Sequence, residues 1–159
     1  MSINVLFVCL GNICRSPAAE GILTRLIEEA ELSDNIRVDS CGTAAFNIGK
    51  SPDPRSIAAA ARAGYDISHQ IARQINDDDY LHNHYIIAMD RINLTNVQAW
   101  APNNYQGEIA LFMSYSQNGG NTQVPDPYYD NDRQFDTVIK TLEIAAKGLL
   151  AHILKTHDL

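Results

Sequence analysis

Cysteine is scarce in this chain: three in 159 residues, with none after Cys41. A small odd number builds no disulfide framework, so a reducing compartment with at least one working thiol is expected. Long apolar runs are also missing. No stretch approaches the roughly 18 residues that a membrane span requires. The opening Met-Ser-Ile-Asn carries no basic segment, and the apolar run behind it is too short for a secretory leader, so the expected location is cytoplasmic. Positive charge is in deficit, with 12 Lys and Arg against 19 Asp and Glu and a formal net charge of -7. That argues against a general nucleic-acid binder, which needs a basic face. Internal repeats, low-complexity tails and linkers are absent, and the length suits a single domain, 1–159, burying roughly 70% of its unfolded surface.

What is present is concentrated in one stretch, Val8-Cys9-Leu10-Gly11-Asn12-Ile13-Cys14-Arg15-Ser16-Pro17. An apolar run leads into it and an amphipathic pattern from Ala18 to Leu32 leads out, which reads as strand, tight loop and helix start. Gly11 and Asn12 are the residue types that most easily take positive φ. Successive N–H groups in such a loop turn inward as an anion cradle, and the helix adds its positive dipole end. Ser16 suits the N-cap and Pro17 the first helical position. A cysteine aimed into such a site is expected to be a low-pKa thiolate and so a nucleophile. Anion binding of this kind is local and compatible with net negative charge.

The rest alternates. Strands are expected at Ile3 to Val8, Ile36 to Cys41, His84 to Met89 and Glu108 to Met113. Helices are expected from Pro17, from Asp53-Pro54 to Ala63 with Gly64 beyond it, in a short acidic turn at Asn76 to Asp79, from Asp90 to near Trp100, and from about Asp132 onward. Asn131 and Gln134 are placed to form a capping box for the last helix. Ser114 to Val124 is a Gly/Asn/Ser/Gln-rich loop. Strands alternating with helices imply an α/β fold: a four-stranded parallel central sheet with helices on both faces, doubly wound, with ligands at the carboxyl ends of the strands.

The cysteine loop closely resembles the phosphate loop of the low-molecular-weight protein tyrosine phosphatases. Asp39-Ser40-Cys41-Gly42-Thr43, Pro52-Asp53-Pro54-Arg55, Ala88-Met89-Asp90-Arg91-Ile92-Asn93 and Val124-Pro125-Asp126-Pro127-Tyr128-Tyr129 resemble later segments of that family, in the same order. The resemblance implies a metal-independent, cofactor-free hydrolase with the phosphotyrosine phosphatase I-like fold. In it Cys9 attacks phosphorus and forms a cysteinyl-phosphate. Arg15 binds two equatorial oxygens. The loop from Leu10 through Gly11, Asn12, Ile13 and Cys14 to Arg15 binds the remaining charge with its N–H groups. Ser16 donates to the Cys9 thiolate. Asp126, stiffened by a proline on each side, protonates the leaving phenolate and then accepts a proton from water. The implied partner is a phosphotyrosine-containing protein, a tyrosine kinase among the candidates, with phosphate or vanadate-like oxyanions as inhibitors.

Phe46, Tyr128 and Tyr129 are expected to wall the cleft and stack on an aryl ring. Asn12, Ser40, His69 and Asp90 are expected to brace the loop: Asn12 in a left-handed conformation with Ser40 as partner, His69 and Asp90 as a pair resembling one in the family. Cys14, five residues from Cys9, is a candidate for a reversible protective disulfide. Cys41 reads as core. His82-x-His84, with no cysteine or carboxylate at ligand spacing, is read as incidental, so no metal is expected. Two other readings carry less. A catalytically silent phosphate-binding module would lack Cys9, Arg15 or Asp126. An arsenate reductase sharing this loop would need a further cysteine pair after Gly42.

Overall fold

The structure, a computed structural model, describes residues 2–116 and 123–159. The central part of the expected Ser114–Val124 loop therefore lies outside the described residues. Four parallel strands form one sheet in the order β2-β1-β3-β4: β1 (Ile3–Cys9), β2 (Ile36–Gly42), β3 (Tyr85–Ala88) and β4 (Glu108–Leu111). The helices are α1 (Arg15–Glu29), α2 (Pro54–Arg62), α3 (Asp77–His82), α4 (Arg91–Trp100) and α5 (Asp132–His157).

Alternation along β1 decides which core each side chain enters. Ile3, Val5, Phe7 and Cys9 pack with Ile22 and Leu23 of α1, Ala59 and Ala60 of α2, and Phe135, Leu142 and Leu149 of α5. Leu6 and Val8 face the other way, toward Tyr80 of α3 and Val97 of α4. Helices therefore cover both faces. In register, Cys9 of β1 lies beside Gly42 of β2, and Val8 beside Ala88 of β3. The chain leaves β1 for one neighbour and later returns to the other, so strand order reverses between β1 and β3, which opens a crevice at their carboxyl ends.

Several boundaries follow local chemistry. Asp53 caps α2 by accepting the Arg55 N–H, with Pro54 just inside, and Gly64 follows at φ 97°. Asn131 accepts the Gln134 N–H at 3.3 Å at the start of α5. Two expectations need correcting. The fourth strand stops at Leu111, not Met113, and a 3₁₀ turn runs from Phe112 to Tyr115. The Ser114 hydroxyl takes the Leu111 carbonyl at 2.6 Å, and Phe112 turns fully into the core with its ring centroid 4.8 Å from that of Phe7. Helix α1 begins at Arg15 with Cys14 as N-cap, so Ser16 is not the cap. Pro17 still costs nothing there, because the first four N–H groups of a helix have no intrahelical partner. Among the described residues no helix is long and apolar enough to cross a membrane.

Phe112 joins the 3₁₀ turn to the sheet through its packing on Phe7. Truncation by Phe112→Ala is expected to cost about 3–5 kcal/mol in urea unfolding. A loss under about 1 kcal/mol would show that the turn is not anchored by this ring.

Candidate active site

β1 ends on Cys9, and the chain doubles back through Leu10–Cys14 into α1. The carbonyls of this turn are held from outside. Thr43 N–H donates to the Cys9 carbonyl (2.9 Å) and Ala44 N–H to that of Leu10 (3.0 Å). Asn47 Nδ2 donates to Gly11 (3.2 Å), Asp53 N–H to Ile13 (2.8 Å) and Ser56 Oγ to Cys14 (3.1 Å). All peptide bonds described are trans, so each N–H lies opposite its carbonyl. The N–H groups of Leu10, Gly11, Asn12, Cys14 and Arg15 therefore face the concave side. One has its target in place: Asn12 N–H donates to Cys9 Sγ at 3.3 Å. With the start of α1 behind it, the turn has the geometry of an anion cradle.

Close approach to β2 makes this turn possible. A Cβ on Gly42 would sit 2.8 Å from the Leu10 oxygen and 3.2 Å from the Asn12 nitrogen. Gly11 does not use positive φ. Only Asn12 does within the loop, at 56°. Its carboxamide is a hub. Nδ2 donates to Ser16 Oγ (2.7 Å) and Ser40 Oγ (3.1 Å), and Oδ1 accepts the Arg73 N–H (3.0 Å). Because Asn12 donates to Ser16, the serine's own proton is free for Cys9 Sγ at 3.0 Å or the Cys41 carbonyl at 3.3 Å. Ser16 thus lies within hydrogen-bond reach of the thiol from inside the helix. Ser40 Oγ donates in turn to Glu20 Oε1 at 2.8 Å. Burial, with Asp39 adding to it, pushes the Glu20 carboxyl up to about 7, against the lowering effect of Ser40 and Arg73.

Arg15 is 2% exposed. Its Nη1 donates to Asp90 Oδ2 (2.7 Å) and to the Val124 carbonyl (2.9 Å), while Nη2 lies 3.6 Å from Asp126 Oδ2. The other Asp90 oxygen accepts the Asn93 N–H and caps α4, so one carboxylate both starts a helix and holds the arginine. Val124 N–H is bonded to the Met89 carbonyl at the end of β3. Asp126 Oδ1 accepts the Tyr128 N–H at 3.1 Å, which leaves Oδ2 toward Arg15, and the side chain is 39% exposed.

Cys9, Ile13, Cys14, Arg15 and Asp126 line a cavity of about 290 Å³, with Leu10, Phe46, Asn47, Tyr128 and Tyr129 at its walls. The two tyrosine rings stand perpendicular at 5.0 Å, and Tyr129 is 95% exposed. A larger hollow, about 830 Å³, lies at the opposite end of the sheet around His82, His84 and Tyr105. It contains neither Cys9 nor Arg15, and the His84 ring already accepts the Asn4 N–H. Among the described residues no group of three or more His, Cys, Asp or Glu is placed to hold a metal ion. Cys41 is fully buried, and burial pushes its thiol up. Cys14 is buried too. Desolvation, then Asp53, pushes its thiol far above the usual range, so it is held protonated.

Cys9, the loop residues, Arg15, Ser40, Asp90, Asp126 and the aromatic walls are brought together. His69 is not. It is exposed, and its neighbour Gln70 turns inward instead, donating Nε2 to the Pro17 carbonyl at 2.9 Å. The segment is irregular, so no periodicity distinguishes which of two adjacent residues faces in. Sequence reasoning did not single out Asn47, Arg55, Ser56, Arg73 or Glu20 for the site. Asp53-Pro54 was legible as a helix start, but not its bond to the Ile13 carbonyl.

The family profile described as "Low molecular weight phosphotyrosine protein phosphatase" matches residues 4–158. The low molecular weight phosphotyrosine protein phosphatase of Schizosaccharomyces pombe is 40% identical over 150 residues, covering 93% of this chain and 96% of that protein. The human protein of the same description is 42% identical over 137 residues, 85% of each chain. The crystal structure of a protein tyrosine phosphatase from Entamoeba histolytica superposes with a TM-score of 0.93 at 35% identity, covering 99% of this chain and 100% of that one.

Glu20 supplies a pH test. Its folded pKa, about 7, lies above the ordinary 4.5, so ionising it is harder in the fold than in the unfolded chain. The penalty is absent below pH 4.5, grows as pH rises, and is complete above about 7. Glu20→Gln removes that slope. Its stability relative to the parent is expected to improve between pH 5 and pH 8 in urea unfolding; parallel profiles would contradict this assignment.

Proposed function

As the chain belongs to the low molecular weight phosphotyrosine protein phosphatase family, we propose that it hydrolyses phosphotyrosine in proteins through a cysteinyl-phosphate, with Asp126 as acid and base. The observation that carries this reading is the turn: its carbonyls are bonded from outside, Asn12 N–H donates to Cys9 Sγ, and Arg15 and Asp126 line the same cavity.

The phosphate dianion sits in the cradle. Loop N–H groups and the edge of Arg15 not occupied by Asp90 and Val124 bind its oxygens. The Cys9 thiolate bonds to phosphorus as the bond to the aryl oxygen breaks, and the proton carried by Asp126 moves to that oxygen. Asp126 then takes a proton from water as the water oxygen bonds to phosphorus and the P–S bond breaks. Inorganic phosphate leaves, with the thiolate and the acid form of Asp126 restored. Ser16 stabilises the sulfur as attacking and as leaving group. Phe46, Tyr128 and Tyr129 form an apolar mouth that suits an aryl ester. A phenolate also leaves more readily than an alkoxide. The substrate is a phosphotyrosine protein, such as a tyrosine kinase, in the cytoplasm, and phosphate or vanadate competes for the cradle.

Cys14 lines the same cavity as Cys9 and is held as the thiol. Peroxide converts the Cys9 thiolate to a sulfenic acid. The Cys14 sulfur displaces its oxygen as water, giving a Cys9–Cys14 disulfide that a thiol reductant reopens.

Hydrolysis of p-nitrophenyl phosphate is expected to persist in EDTA. Cys9→Ser is expected to abolish turnover while retaining phosphate binding, and normal activity in that variant would overturn the reading. Asp126→Ala is expected to lower kcat/KM on phenyl phosphate by about 10²–10⁴-fold and on p-nitrophenyl phosphate by much less; equal losses would remove Asp126 from the acid role. Mass spectrometry after mild peroxide is expected to find a Cys9–Cys14 linkage. Cys9 sulfonic acid with Cys14 free would exclude the protective role.

A further inference from the structure

The segment carrying Asp126 is tied down on both sides. Upstream, Val124 bonds to Met89 and Arg15. Downstream, two carbonyls converge on one side chain of α2. Arg55 Nη2 donates to the Tyr128 carbonyl (2.9 Å) and Nη1 to that of Asp130 (3.2 Å). The same guanidinium grips Asp53, with Nε to Oδ1 at 3.1 Å and Nη2 to Oδ2 at 2.9 Å. It also lies 4.5 Å from the Phe135 ring centroid and 5.6 Å from that of Tyr128. Asp53 is itself part of the cradle's frame, since its N–H bonds to Ile13, while Ser56 one turn on bonds to Cys14. A continuous path therefore runs from the cradle through Asp53 and Arg55 to Tyr128, two residues beyond Asp126.

We propose that Arg55 is a positioning residue that sets the place of Asp126 over Cys9 and so governs proton transfer to the leaving group. The proposal rests on the reading of Asp126 as the acid. Arg55 does not line the cavity, and its side chain is one third exposed. Its hydrogen bonds hold the Asp53 carboxyl below the usual range, which keeps both partners charged. Only a planar, five-donor fork meets one carboxylate and two carbonyls together while stacking on rings; a lysine reaches one or two of them. A shift of the Tyr128 and Asp130 carbonyls moves Asp126 with them, because the Asp126 side chain is bonded to the Tyr128 N–H.

The test is a leaving-group series of aryl phosphates, from p-nitrophenyl to phenyl, scored by kcat/KM, which reports the steps through the first chemical event. Arg55→Met, Arg55→Lys, Asp126→Ala and the double variant Arg55→Met/Asp126→Ala are compared. Arg55→Met is expected to lose about tenfold on phenyl phosphate, the scale of a small misplacement, and little on p-nitrophenyl phosphate. Its inhibition constant for inorganic phosphate is expected to stay unchanged. Arg55→Lys falls between Arg55→Met and the parent, and decides the matter if Arg55→Met does not fold. The double variant is expected to match Asp126→Ala. Equal losses on both esters, no loss, or a further loss in the double variant would overturn the proposal while leaving Asp126 as the acid. If Asp126→Ala itself shows no dependence on the leaving group, the acid reading fails and this proposal fails with it.

Discussion

A guanidinium almost without access to water must be matched by anions and acceptors, because the desolvation of a buried ion costs several kcal/mol. Arg15 is matched by Asp90 and the Val124 carbonyl, with Asp126 farther off. These partners come from two places: the cap of α4, just past the end of β3, and the segment from Val124 to Asp126 that bears the proposed acid. The need to satisfy one cation thus brings the carboxyl end of the sheet and the Asp126 segment to the mouth of the same turn. Removing Asp90 would take away the nearest carboxylate of Arg15 and the α4 cap at once.

The turn itself is shaped from outside. Each neutral hydrogen bond to a carbonyl contributes only about 1 kcal/mol, but five of them leave the peptides little choice of orientation. A left-handed Asn12 costs about 1–2 kcal/mol, offset by three hydrogen bonds from its carboxamide. Those bonds also set the direction in which Ser16 and Ser40 donate. The order that prepares the cradle for an oxyanion is therefore built into the fold before any ligand arrives.

A chain of net charge -7 suits an anionic ligand because its nearby carboxylates are paired. Asp90 is joined to Arg15, Asp53 to Arg55, and Asp39 and Asp79 to Arg73. What remains at the floor of the cavity is the field of the loop amides, the α1 terminus and the free edge of Arg15. Asp126 and Glu20 stand outside those close pairs: Asp126 lies 3.6 Å from Arg15, and Glu20 is bonded to Ser40.

Strand and helix order, the sheet's class and the family were readable from the chain. They depend on local signals: apolar runs of strand length, the Asp53-Pro54 and Asp90 helix starts, and a loop whose residue types suit an anion. The strand end at Leu111, the helix start at Arg15 and the inward turn of Gln70 rather than His69 were not. Each is settled by contacts between residues far apart in sequence, such as Phe112 on Phe7 or Gln70 on Pro17, which no window along the chain contains. The sequence by itself determined that a cysteine would end a strand before a tight turn into a helix. The tertiary structure decided which way that turn's amides face and where Asp126 stands over it, because the partners that orient them, from Thr43 to Asp130, meet the turn only once the chain is folded.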